Sequence, residues 1–210
     1  MKGAFITFEG CEGSGKSTQI RLMADFLRAR GAEVTITREP GGTPLAERIR
    51  GLLMETCEET IAPLTELFLY EAARAQHVQQ VVLPALQRGA IVLCDRFYDS
   101  TTVYQGVGRK LDSVTVGHLN RLAAGAARPM HTYVFDLPAA EGLRRARERG
   151  SDDRMMQEAV TFHEAVREGF LALAQEEGDR ITIVDASRPV EIIQEELRRH
   201  ICALPFMENR

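Results

Sequence analysis

Lysine is scarce in this chain of 210 residues: Lys2, Lys16 and Lys110 are the only ones, and arginine carries almost all the positive charge. Genomic base composition explains most surface arginines, although a planar guanidinium also suits phosphate, so only arginines beside other motifs bear on function. Net positive charge is missing as well. A formal charge of -4 and a pI near 5.8 leave room for a local basic patch but weigh against a nucleic-acid partner held by bulk electrostatics. The four cysteines, Cys11, Cys57, Cys94 and Cys202, form no C-x-x-C pair and follow no signal-peptide pattern. That points to reduced thiols, a cytoplasmic location and no zinc site. No apolar run approaches the ~20 residues that span a bilayer, so no membrane partner is expected. His77, His118, His131, His163 and His200 do not cluster along the chain and are read as structural or solvent-facing, with none assigned to chemistry.

What is present begins near the start. Gly10-Cys11-Glu12-Gly13-Ser14-Gly15-Lys16-Ser17-Thr18 satisfies G-x-x-x-x-G-K-[ST], and it lies between an apolar run (Ala4, Phe5, Ile6, Phe8) and a helical pattern. Strand, loop and helix in that order are the context a phosphate loop requires. Glycines let the backbone turn its N–H groups inward, where they cradle polyphosphate oxygens at a positive helix N-terminus. A polyphosphate is therefore the expected ligand, with Lys16 reaching its β- and γ-phosphates and the Ser17 hydroxyl holding Mg²⁺. A plain Gly-rich turn would need neither residue.

The rest of the chain alternates strand and helix patterns. Strands are read at Lys2 to Glu9, Val34 to Thr37, Ala90 to Cys94, Thr132 to Asp136 and Ile181 to Val184. Helices are read from the phosphate loop to about Gly31, at Pro44 to Met54, Pro63 to about Gln87 with Pro84 kinking its last turn, Ser113 to Ala127, from Pro138 onward, at Met155 to Glu177 and at Pro189 to Cys202. No repeat or linker interrupts them. The expected fold is α/β: one domain over residues 1–210, with a five-stranded parallel sheet flanked by helices on both faces.

Ligands of such sheets bind outside the carboxyl ends of the strands, which gives particular residues weight. Arg38 ends the second strand ahead of Pro40-Gly41-Gly42, either at the ligand edge or solvated in a loop. Asp95 ends the third, where a carboxylate suits Mg²⁺ or its water shell, or else caps the following turn. Tyr70 and Arg74 lie four apart on one helix face, a spacing that by itself also fits simple packing. The stretch from Phe97 to Arg109 is too polar for core and too ordered for a linker. Arg144, Arg145, Arg147 and Arg149 precede Gly150-Ser151-Asp152-Asp153-Arg154, equally a charged helix face with i,i+4 pairs or a mobile phosphate clamp.

Taken jointly, Phe8-Glu9-Gly10, Glu12-Gly13, Gly15-Lys16-Ser17-Thr18, Arg38-Glu39-Pro40-Gly41-Gly42-Thr43, Ala72-Ala73-Arg74 and Asp95-Arg96-Phe97 with Ser100, Tyr104, Gln105 and Gly106 resemble the nucleoside monophosphate kinases, and among them the bacterial thymidylate kinases. The resemblance covers almost the whole chain and implies a phosphate-loop NTPase fold, ATP and Mg²⁺ as cofactors, and phosphorylation of dTMP to dTDP. It implies that Arg38 and Arg96 hold the acceptor phosphate, that Arg74 addresses the base with Tyr70 stacked on it, and that Asp95 serves the Mg²⁺-phosphate region. Glu12 and Tyr104 would line the deoxyribose, with Ser100, Thr101 and Gln105 completing the dTMP site. Tyr70 stands where many members have Phe, and Phe97 where the motif usually has Tyr. The loop positions Cys11 to Ser14 hold no arginine, so a lid at about 141–154 is expected to supply one, Arg149 first, to the transferring phosphoryl. A homodimer is likewise implied. The alternatives are a kinase for another nucleoside monophosphate and a non-enzymatic ATP-binding switch, the second of which leaves Arg38, Tyr70, Arg74 and Arg96 unexplained.

Overall fold

The computed structural model describes residues 3–56, 58–150 and 153–207. Lys2 of the expected first strand, Cys57, and Ser151 and Asp152 of the expected lid lie outside the described residues. Five parallel strands, β1 (Ala4–Gly10), β2 (Val34–Arg38), β3 (Ile91–Asp95), β4 (His131–Asp136) and β5 (Ile181–Asp185), form one sheet in the order β2-β3-β1-β4-β5. Every residue of β1 is buried, as a central parallel strand with both faces covered requires.

The covering layers follow from the alternation of side chains along β1. Ala4, Ile6 and Phe8 pack on α1 (Lys16–Arg28) and α9 (Val190–Cys202) through Ile20, Met23, Leu27, Ile193, Leu197 and Ile201. On the other face Phe5, with Val92 and Cys94 of β3, meets Val78, Val82 and Ala85, which belong to the run α3 (Pro63–His77), a π segment at Val78–Val82 and α4 (Leu83–Gln87). The same cluster takes in Ala124 of α6 (Ser113–Ala124). Next to it Val134 and Ile181 pack on α8 (Val160–Glu176) through Val166, Phe170 and Ala174. Truncating a core aromatic such as Phe8, wholly buried, would cost about 3–5 kcal/mol.

The register sets the functional edge. Phe8 and Arg38 each pair with Asp95, so β2 and β3 finish level with one another while β1 runs two residues further, to Gly10, where the phosphate loop begins. α2 (Pro44–Met54) then starts at Thr43, whose hydroxyl accepts from the Ala46 N–H.

Three readings of the sequence need correction. The helix expected from Pro63 to Gln87 widens into the π segment before Pro84, which has no N–H to donate and whose ring crowds the preceding turn. The helix expected from Met155 to Glu177 is two pieces, a 3₁₀ turn (Arg154–Gln157) and α8, separated by extended Glu158 and Ala159. Tertiary ion pairs decide that break: Arg154 is bound to Glu66, and Glu158 to Arg109. Third, two histidines do meet, since the His131 and His200 rings are 4.7 Å apart, with Tyr133 donating to or accepting from His200 at 2.9 Å. Positions 131 and 200 are remote in sequence, and only the packing of α9 beside β4 joins them.

Candidate active site

The phosphate loop links β1 to α1. Gly15 adopts φ 88° and no side chain caps the helix; the Thr18 N–H donates to the Gly15 carbonyl at 3.1 Å, which leaves the N–H groups of Lys16 and Ser17 to face an anion. Lys16 folds back over the loop, its Nζ donating to the carbonyls of Gly10 (3.0 Å) and Cys11 (2.8 Å) and to Ser14 Oγ (3.2 Å). Burial pulls its pKa down to about 8, Arg96 adds repulsion, and Asp95 and Glu12 oppose the shift. Ser17 Oγ donates to Asp95 Oδ2 at 2.5 Å, across the pairing of β1 with β3. A hydroxyl and a carboxylate side by side are hard oxygen donors, the set that suits Mg²⁺ held mainly through substrate phosphates and water.

The loop also touches the helix that follows β4. A Cβ on Gly13 would run into the Gly142 carbonyl, and one on Gly142 into the Glu12 carbonyl. Backbone therefore packs on backbone, and α7 (Ala139–Glu148) is seated directly on the phosphate loop.

Across the cleft stand the arginines. Arg96 has φ 68°, a left-handed conformation that costs a non-glycine residue about 1–2 kcal/mol, and its N–H donates to Phe8 at 3.0 Å. Its guanidinium donates to Glu12 Oε1 (2.8 Å) and Ser100 Oγ (3.2 Å) and lies 5.1 Å from the Tyr104 ring centre. Burial pushes the Glu12 carboxyl up, but Arg96, His163 and Lys16 outweigh it and hold the group well below the usual carboxylate range. Tyr104 donates to both Glu12 oxygens, at 3.0 and 2.9 Å. Arg38 pairs with Glu47 at 2.9 Å, half exposed.

Arg74 is 2% exposed and nearly spent: Nε donates to Glu39, Nη1 to Glu71 and Asn120, and Nη2 to Thr101. Of the five N–H donors of a guanidinium, one on Nη2 remains. His77 and Thr37 extend the same network, His77 Nδ1 lying 2.8 Å from Glu39.

Among the residues named from sequence, Glu12 to Ser17, Arg38, Tyr70, Arg74, Asp95, Arg96, Ser100, Thr101, Tyr104, Gln105 and Arg149 line one cleft of about 320 Å³. Gly10, Cys11 and Thr18 do not line it; the Cys11 thiol is buried and turned to the His163 carbonyl. Of the basic run, only Arg149 reaches the cleft. Arg144 and Arg145 both bind Glu141, with Arg144 also on Glu148 and Arg145 on the Ala186 carbonyl. Arg154 is bound to Glu66 and the Leu53 carbonyl.

Sequence reading missed part of the wall. Phe97 to Gly108 is helical, α5 (Tyr98–Thr101) running into a π segment (Thr102–Gly108) that carries Tyr104 and Gln105 inward. Glu9, buried under this segment, accepts from the Phe97 N–H (2.7 Å) and the Ser100 hydroxyl (2.5 Å). Arg50, Met54, Met155 and Met156 also line the cleft; only Arg50, one turn from the Glu47 that holds Arg38, carried a readable signal.

A phosphate loop and an arginine-lined wall facing it across one cleft, on a parallel sheet, define an ATP-dependent nucleoside monophosphate kinase of the phosphate-loop NTPase fold. The thymidylate kinase family model matches residues 8–197. The chain is 52% identical to a thymidylate kinase of Geobacter sulfurreducens, over 90% of this chain and 92% of that one, and 53% identical to one of Pseudomonas fluorescens, over 94% of each. The crystal structure of thymidylate kinase from Ehrlichia chaffeensis superposes with a TM-score of 0.78 at 32% identity, covering 96% of this chain and 99% of that one. The chain belongs to the thymidylate kinase family.

Proposed function

We propose that the protein transfers the γ-phosphoryl group of ATP to dTMP, giving dTDP and ADP, within dTTP synthesis in the cytoplasm. The observation that carries this is the wall of Arg38, Tyr70, Arg74, Arg96 and Tyr104 opposite the phosphate loop. A nucleotide switch needs the loop alone. The remaining Nη2 hydrogen of Arg74 addresses a thymine carbonyl, and the Tyr70 ring, one turn earlier on α3, stacks on the base. Arg38 and Arg96 hold the acceptor phosphate, and Glu12 with Tyr104 lines the sugar.

The acceptor is itself a phosphate, ionised at neutral pH, so no general base is required. The chain's work is to align donor and acceptor and to stabilise charge on the transferring group. Lys16 leaves the loop carbonyls for the ATP phosphates, and Arg149 closes on the γ-phosphoryl from a lid at about 141–154. Ser17 and Asp95 would hold Mg²⁺, which would neutralise phosphate charge there.

Measuring ADP formation with a panel of monophosphate acceptors tests the reading. dTMP is expected to give the highest kcat/KM; faster turnover of AMP or UMP would overturn the substrate assignment, and no turnover of any would favour the switch.

A further inference from the structure

His163, on α8, is 1% exposed, and neither ring nitrogen has a hydrogen-bond partner among the described residues. Buried polar nitrogens without partners are rare because each forfeits its bonds to water. The ring is not remote from the chemistry. Its Nδ1 lies 3.6 Å from Glu12 Oε2, about half an ångström beyond hydrogen-bonding reach, and the Cys11 thiol fastens the His163 carbonyl to the phosphate loop.

Glu12 is hydrogen-bonded by Arg96 and Tyr104, with the His163 ring only in the longer 3.6 Å contact. Arg96 is also the acceptor-phosphate arginine of the proposed function, on which this inference rests. A guanidinium drawn to a phosphate dianion loosens its hold on Glu12, and the carboxylate then lacks a charge-assisted donor. The group beside it with a donor to spare is the His163 ring. A neutral imidazole carrying its proton on Nδ1 suffices, so no change of protonation is needed.

We infer that His163 is a positioning residue: its Nδ1–H takes over the Glu12 carboxylate when Arg96 turns to the acceptor phosphate, keeping Glu12 fixed beside the acceptor sugar. The unpaired ring is thus a donor held in reserve, at a site outside the residues that touch substrate.

The test compares His163→Phe, which keeps the ring shape without a donor, with His163→Asn, whose amide N–H stands near the Nδ1 position. The lost bond to a charged group should raise the dTMP KM of the Phe variant about 10- to 100-fold with the ATP KM unchanged. Its melting temperature should equal or exceed that of the wild type, because an unpaired buried polar group is removed. The Asn variant should recover most of the loss. In the wild type, ¹⁵N NMR of the His163 ring should show Nδ1 becoming hydrogen-bonded when dTMP is added, a readout that does not require either variant to fold. A Phe variant with the wild-type dTMP KM, an Asn variant no better than Phe, or an Nδ1 resonance indifferent to dTMP would each overturn the inference. Should the acceptor panel select another monophosphate, the same titration with that nucleotide decides the role of His163 separately from the substrate reading.

Discussion

Arg149 and Arg154 are five positions apart in an arginine-rich run, and their surroundings give them different tasks. Arg149 follows the last residue of α7, lines the cleft and has no ion pair with a described residue. Charge spreads over the γ-phosphoryl oxygens in the transition state, so a guanidinium arriving on closure stabilises that state more than bound ATP. Arg149→Ala should lower kcat by about 10³-fold, with the dTMP KM little changed, and Lys at this position should rescue only in part because it lacks the planar fork. A variant with near-normal kcat would remove Arg149 from the mechanism. Arg154, by contrast, serves the wholly buried Glu66 together with Arg109 and Gln105. Arg154→Ala should cost about 1–3 kcal/mol of stability by denaturant unfolding and leave the chemical step largely intact. The sequence shows the i,i+4 pairing of Arg144 with Glu148 and of Arg145 with Glu141, but not the task of Arg154, because the carboxylate that claims it, Glu66, is set by the fold.

At the scale of elements, the parts legible in the sequence are those governed by local pattern. β1, α2 and the stop of α1 follow from apolar periodicity, Pro44 and Gly31. The segments at 97–108 and 154–159 do not, because each answers to a distant partner, and the widening at 78–82 shows Pro84 acting on the turn before it rather than on the last turn alone. Phe97 to Gly108 shows this most clearly: Ser100, Thr101, Tyr104 and Gln105 line the cleft, Asp99 is bound to Arg180 and Thr132, and the start of the segment is held by Glu9 from β1. The motif residues around the cleft were readable for the same reason that Glu9 and His163 were not. Arg38, Asp95 and Arg96 follow strand ends, whereas Glu9 and His163 matter only through what packs on them. Burial raises the Glu9 carboxyl, and the neighbouring Asp99 raises it further. The folded state therefore holds more protons than the unfolded chain above pH 4.5, and stability falls as pH rises through the neutral range. Unfolding free energies measured from pH 5 to 8 should decline more steeply for the wild type than for Glu9→Gln. Parallel profiles would show that Glu9 titrates normally.

The whole molecule leaves a particular apolar surface uncovered. Phe68 and Leu64 of α3 are about half exposed, at 52% and 48%, beside Leu52 of α2 at 57% and Val114 and Leu122 of α6 at 74% and 72%. α2 and α6 both pack against α3, so these side chains belong to three helices joined through α3. Large apolar patches of this kind mark association surfaces, and a second copy of the chain is the proposed occupant. The consequence reaches the acceptor site, because α3 turns Leu64 and Phe68 outward while its inner face carries Glu66, Tyr70 and Arg74. A partner clamped on the outer face of α3 would steady Tyr70 and Arg74, the ring and guanidinium that the proposed function assigns to the base. Light scattering at micromolar concentration should give twice the chain mass. Phe68→Glu, which places a charge in the centre of the patch, should lower that mass to a monomer. If the clamp matters, the monomer should show a dTMP KM raised several-fold with the ATP KM nearly unchanged, since the phosphate loop belongs to β1 and α1 on the far side of α3. A wild-type monomer would refute the association. A monomeric Phe68→Glu variant with unaltered dTMP kinetics would leave the dimer standing but detach it from base recognition.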